Sequence, residues 1–135
     1  MPAEDETPAL RTVRRYFEAL MRNDRATLGA LLAPDIVHEE LPNRLNPHGA
    51  IKDRAKMLAA FEVGLKLIAE QRFDVERSVV QGDTIALEVV WTGKLAAPVG
   101  SLKAGDTMKA KIAVFLDVRE GRVVRQRNYD CFEEF

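Results

Sequence analysis

Apolar residues recur at helical spacing near the start of the chain and at strand spacing over its second half. Leu10, Val13, Phe17 and Leu20 fall at i, i+3, i+7 and i+10, one face of a helix, with Tyr16 on its flank. Thr7-Pro8 marks the start: a hydroxyl N-cap, then proline where a missing N–H is harmless. Asn23-Asp24 breaks this helix, and Asp24 can cap a short second one carrying Leu28, Leu31 and Leu32. Pro34 ends it, because the residue before proline avoids the helical region.

Asp35 to Leu41 reads as a strand, and the turn-rich stretch 42–49 as a loop. A long helix is expected from about Ala50 to Ala69, with Ile51, Leu58, Phe61, Leu65 and Ile68 at helical spacing. Gly64 inside it suggests a close packing contact or a bend.

After residue 71 the period becomes two. Phe73, Val75, Arg77 and Val79 alternate with Asp74, Glu76, Ser78 and Val80, and Gln81-Gly82-Asp83 turns the chain. Ile85, Leu87, Val89 and Trp91 share a face. A loop from Ala97 to Asp106 precedes the clearest strand, in which Met108, Ala110, Ile112, Val114, Leu116 and Val118 form a wholly apolar face. Arg119-Glu120-Gly121 turns into a last strand running to about Asp130.

The order is helix, helix, strand, helix, then four strands. This predicts an α+β fold: one domain over 1–135, a curved, mixed but mostly antiparallel sheet, and three helices on its concave side. The result is a cone (an α+β roll) lined by alternate strand residues, a natural pocket for a small apolar molecule.

Composition narrows the field. The 135 residues suit a single domain, and 20 Lys+Arg balance 21 Asp+Glu, which leaves no footprint for nucleic acid. No apolar run approaches a membrane span, and residues 1–6 read as a frayed acidic tail unlike a signal peptide. One cysteine, Cys131, excludes an intrachain disulfide, fits a reducing cytoplasm and is expected to be a buried, inert thiol. One Cys and two His make a structural metal improbable. Neither a phosphate-binding glycine loop nor a serine elbow is present.

The candidate chemistry lies elsewhere. His38 and Glu40, two apart on a strand, point to one face. A carboxyl in an apolar pocket has a raised pKa and can act as a general base, and a neighbouring histidine could share its proton. Asn43-Arg44 beside the strand end could gate the pocket. The last strand is polar on both sides, with Arg125, Arg127 and Tyr129 on one and Gln126, Asn128 and Asp130 on the other. Either it borders water twice or it faces a polar cavity patch. Arg125 and Arg127 could pair with Glu88 or Asp117 across the sheet, or form a dimer contact.

Three stretches, Val13-Arg-Arg-Tyr-Phe-Glu-Ala-Leu20, Leu31-Leu-Ala-Pro-Asp-Ile-Val37 and Glu120-Gly-Arg-Val-Val-Arg-Gln-Arg-Asn-Tyr-Asp130, carry a resemblance. With the element order, they resemble the SnoaL-like (polyketide cyclase) branch of the nuclear transport factor 2-like superfamily over nearly all of residues 8–135. Ketosteroid isomerases of that superfamily use a helix tyrosine as oxyanion donor, a first-strand carboxylate as base and a second, protonated aspartate. Tyr16 is similar to that tyrosine, Glu40 falls where the base would lie, and Val114 falls where the second aspartate would be. The resemblance to limonene epoxide hydrolases places Trp91, Val89 and Asn128 where those enzymes keep an Asp–Arg–Asp triad. The cyclases' acid/base aspartate points to Asp130.

The resemblance thus implies a cofactor-independent isomerase or cyclase, with a non-catalytic binder of a hydrophobic metabolite, an epoxide-hydrolase-like hydrolase and a protein-binding adaptor as the alternatives. Glu40 would be the base. Tyr16 and Asn128 would stabilise an enolate oxygen, His38 would tune the proton, and Trp91, Phe61, Ala110, Ile112 and Val114 would hold the apolar body. A homodimer through the outer sheet face is expected as well.

Overall fold

The computed structural model describes residues 6–135. The acidic tail expected over 1–6 therefore lies outside them except for Glu6, which pairs with Arg14 at 3.5 Å. Helix α1 spans Pro8–Met21, and its Thr7 cap accepts the Leu10 N–H at 3.1 Å. Asn23 takes a positive φ of 56°, and Asp24 then caps α2 (Arg25–Leu31) by accepting the Thr27 N–H. Strand β1 (Leu32–Glu40) begins three residues before the predicted start. Pro34 fits there because the β1 ladder shifts register between Leu32 and Val37, where the missing N–H is not needed.

The long helix predicted over 50–69 divides into three parts. Ala50–Lys52 is a short strand, β2, paired antiparallel with β1, and Ile51 is 69% exposed on it. Asp53 caps a shorter helix, α3 (Arg54–Leu67), by accepting the Lys56 N–H at 2.8 Å. Ile68 already belongs to β3 (Ile68–Gln81). Strands β4 (Thr84–Leu95), β5 (Thr107–Arg119) and β6 (Arg122–Phe132) complete the sheet. Glu120 and Gly121 both have positive φ, which gives the tight β5–β6 hairpin the turn its twist requires.

The sheet is a single layer in the order β2-β1-β6-β5-β4-β3, with only β1 and β6 parallel. It is the mixed, mostly antiparallel α+β cone predicted. Leu32, Ile36, Ile85, Leu116, Val13 and Val123 are the centre of the core between sheet and helices. Helix α1 buries its predicted stripe there. Helix α3 is different: only Met57 is buried, and Met57, Phe61, Gly64 and Leu65 instead face a cavity. A Cβ at Gly64 would meet nothing within 4 Å, so this glycine serves no close packing contact.

The outer sheet face carries Arg127 stacked 5.7 Å from the Phe115 ring. Glu88 pairs with Arg77 and Asp117 accepts from Thr84, so the described residues show neither predicted arginine paired with them. Cys131 is exposed on this face, contrary to the buried thiol expected, because it alternates with the inward Asp130 and Phe132. No helix among the described residues is long and apolar enough to cross a membrane.

Candidate functional site

A cavity of about 380 Å³ lies between the concave sheet face, α1 and α3. Its lining has two chemical halves, set by strand order. The neighbouring strands β2, β1 and β6 contribute Lys52, His38, Glu40, Gln126, Asn128 and Asp130. Strands β3, β4 and β5 contribute mainly Phe73, Trp91, Leu95, Met108 and Ile112, and α3 adds Phe61. Trp91 donates its indole N–H to Gln71 Oε1 at 2.9 Å. Gly93 makes room for that indole, since a Cβ there would sit 2.5 Å from the ring.

The predicted site residues therefore separate. Tyr16, His38, Glu40, Asn128, Trp91, Phe61 and Ile112 all line the cavity. Ala110 and Val114 lie on the same strand face but are fully covered, and the cavity lining does not include them.

The geometry around Glu40 differs from that of a free base. Its carboxylate accepts from Asn43 Nδ2 at 2.7 Å, Asn46 Nδ2 at 3.1 Å and Lys52 Nζ at 3.2 Å. Burial pushes the carboxyl up. The hydrogen bonds from Asn43 and Asn46, with the charge and hydrogen bond of Lys52, outweigh this and hold it below the ordinary glutamate value. Asn43 also accepts the N–H groups of Leu45 and Asn46, so Glu40 anchors the 42–49 loop at the cavity mouth. Arg44 points instead to Phe135, with its guanidinium 4.8 Å from that ring's centre.

The remaining polar groups form one connected chain. Tyr16 Oη donates to Gln126 Oε1 at 2.8 Å, and Gln126 Nε2 donates to Asn128 Oδ1 at 2.7 Å. Asn128 Nδ2 donates to Asp130 Oδ1 at 3.3 Å. Asn128 Oδ1 also lies 3.0 Å from His38 Nε2, and because an amide oxygen only accepts, the imidazole donates there. His38 is thus the Nε2–H tautomer. Burial, then the nearby Lys52 charge, lowers its pKa to about 4, against weaker upward effects of Asn128 and Glu40. The ring is neutral at pH 7.

Burial also acts on the two ends of the chain. It pushes the Tyr16 phenol up to about 12, despite the opposing bond to Gln126. It raises the Asp130 carboxyl above the usual aspartate value; the Glu40 charge adds to this, while Asn128 and Lys52 pull the other way. Asp130, not Glu40, is the carboxyl with the perturbation expected of a proton-transfer group.

Lys52 and Gln126, like Asn46 and Gln71, line the cavity without a site role in the sequence reading. Lys52 falls inside the over-long predicted helix, although Asp53 followed by helix formers signals a cap just after it. Gln126 shares a strand face with Asn128 and Asp130, and that shared face is its signal in the sequence. No group of three or more metal-ligating side chains is found among the described residues.

A family model described as a SnoaL-like domain matches residues 13–126, and the chain belongs to that family. Solved structures agree on the fold. IdmH of Streptomyces antibioticus, described as a proposed polyketide cyclase, has a TM-score of 0.78 at 23% identity, over 93% of this chain and 92% of that one. An NTF2-like protein of unknown function from Burkholderia pseudomallei gives 0.75 at 22% identity, over 95% and 92%. A LEH-like epoxide hydrolase of M. tuberculosis gives 0.73 at 17% identity, over 96% and 85%. A search of curated protein sequences finds no match.

Proposed function

We propose that this SnoaL-like protein binds an apolar cyclic molecule and moves a proton on it, as an isomerase or cyclase would. Asp130 is the proton-transfer group. One observation carries this reading: a carboxyl raised by burial stands at the end of a hydrogen-bonded chain on the wall of an otherwise largely apolar cavity. Asn128, Gln126 and Tyr16 fix its orientation, and His38 holds Asn128. The description of IdmH as a proposed polyketide cyclase is consistent with this chemistry. The epoxide hydrolase likeness has less support, since the resemblance puts the uncharged Trp91, Val89 and Asn128 nearest to that charged triad.

The reading is tested by deuterium exchange at the carbon beside the carbonyl of tetralone and of cyclic diones, followed by proton NMR. Wild-type protein is expected to accelerate exchange, with the rate rising as pH rises through the Asp130 pKa and then levelling. Asp130→Asn should lower it by roughly a hundredfold or more, the usual contribution of a positioned acid or base. Wild-type exchange no faster than buffer at every pH would overturn catalysis. It would leave the second reading, a non-catalytic binder, which is favoured by the fully partnered Glu40 and by the commitment of the Tyr16 proton to Gln126.

A further inference from the structure

We infer that the ligand of this cavity meets Asp130 as a hydroxyl, so that the site selects the enol or phenol form of a cyclic molecule over its keto form. The inference rests on the pocket of the proposed function and not on turnover. It follows from the direction of the hydrogen bonds. Tyr16 donates to Gln126, Gln126 to Asn128, and Asn128 to Asp130, while His38 Nε2–H also donates to Asn128. Every bond of the chain runs toward Asn128 and Asp130. Asn128 Oδ1 already accepts twice, which fills both its lone pairs.

Two acceptors remain open at the end of the chain, and a carbonyl held by the second N–H of Asn128 Nδ2 would leave them unpaired where a hydroxyl would not. Asp130 Oδ2 and His38 Nδ1 have no hydrogen-bond partner among the described residues, yet neither is sealed from solvent. Lys52 is the one Lys or Arg among the described lining residues, and it is engaged with Glu40 at the mouth. A ligand carbonyl set against Asp130 would bring lone pairs against lone pairs. Set against Tyr16, it would have to take the phenol proton from Gln126 and leave a buried amide oxygen without a donor. A hydroxyl set against Asp130 Oδ2 disturbs none of these bonds. It also brings no charge into a cavity walled by Phe61, Trp91 and Ile112, unlike an ammonium.

Two-ring probes of similar size separate the cases: naphthol, its methyl ether, tetralone, and naphthylmethylamine as the ammonium. Dissociation constants are measured by calorimetry at neutral pH with wild-type protein and Asp130→Asn, and circular dichroism checks that the variant is folded. Naphthol is expected to bind about tenfold tighter than the ether or tetralone, as a hydrogen bond to a charged group allows. In Asp130→Asn that preference should shrink to about twofold, with ether binding little changed. Tighter binding of tetralone or the ether would overturn the hydroxyl inference and leave the apolar pocket standing. Tighter binding of the ammonium would replace the hydroxyl by a cation. A naphthol preference retained in Asp130→Asn would move the acceptor away from Asp130. If none of the probes binds, the pocket reading and this inference fail together.

Discussion

Strands β5 and β6 run side by side on the concave face, and their facing rows differ in kind. Ile112 stands opposite Asp130, Val114 opposite Asn128, and Leu116 opposite Gln126. Leu116 is 0% exposed and Gln126 3%, so one row joins an aliphatic and a polar side chain at equal depth. Strand β5 follows the ordinary rule for a half-buried strand. Strand β6 breaks it, and the break is held together because each polar group is bonded to the next, with Tyr16 above and His38 beside. Buried polar groups are tolerated when a network satisfies them. A strand that kept only the fold would repeat the β5 pattern, so the departure marks where the chain gives up local consistency for a site.

The two rows should respond differently to substitution. Leu116→Ala removes packed atoms from the tightest part of the core and should destabilise by about 2–5 kcal/mol, the range for such cavities. Gln126→Leu keeps the volume but leaves the Tyr16 hydroxyl buried without its acceptor, a loss of about 1–3 kcal/mol. Urea unfolding of both variants measures the difference. A Gln126→Leu protein more stable than wild type would show that the polar row is not a satisfied network.

Next in size is a pH effect from His38. Its pKa is lowered to about 4 in the fold, against about 6.5 when unfolded. The unfolded chain therefore binds the proton first, and His38 supports folding fully above pH 6.5 and progressively less down to pH 4. The linked loss is on the order of 3 kcal/mol. Urea titrations across that window should show this slope in wild type and a flatter one in His38→Gln. Equal slopes would mean that the imidazole is not held neutral by burial.

How much of this was legible followed from what each segment packs against. Helix α1 and strand β5 bury continuous apolar stripes, so their periods show in the residues themselves. Helix α3 turns its stripe to a cavity, and β2 has three residues, too few for alternation to show. Ile51 and Ile68 happened to continue the helical spacing and concealed both boundaries. The site was legible as a list of residues and less so as a set of roles. His38 and Glu40 share a face, as their spacing requires. That Glu40 would be bonded by Asn43, Asn46 and Lys52 depended on how a loop and a three-residue strand fold back on it, contacts that no local pattern encodes. The polar face of β6 was plain in sequence, but only the β5–β6 register set Asp130 beside Ile112 and so gave it the perturbed carboxyl.

The smallest effect bears most directly on what separates the two strands. Asp130 is raised chiefly by burial, so its ionised form is less favourable in the folded protein than in the unfolded chain. Its contribution to stability is therefore fullest below the unfolded aspartate pKa and is lost as pH rises through the folded one. Asp130→Asn keeps the shape and removes that loss. At neutral pH the variant should be more stable than wild type by no more than about 2 kcal/mol, as when a functional constraint is relieved, with the gain shrinking toward zero on acidification below the unfolded pKa. Thermal unfolding of both proteins along a pH series reads this directly. A variant less stable than wild type at neutral pH would mean that Asp130 strengthens the fold when ionised. The β6 row would then be an alternative way of building a core, and its departure from β5 would no longer point to a site.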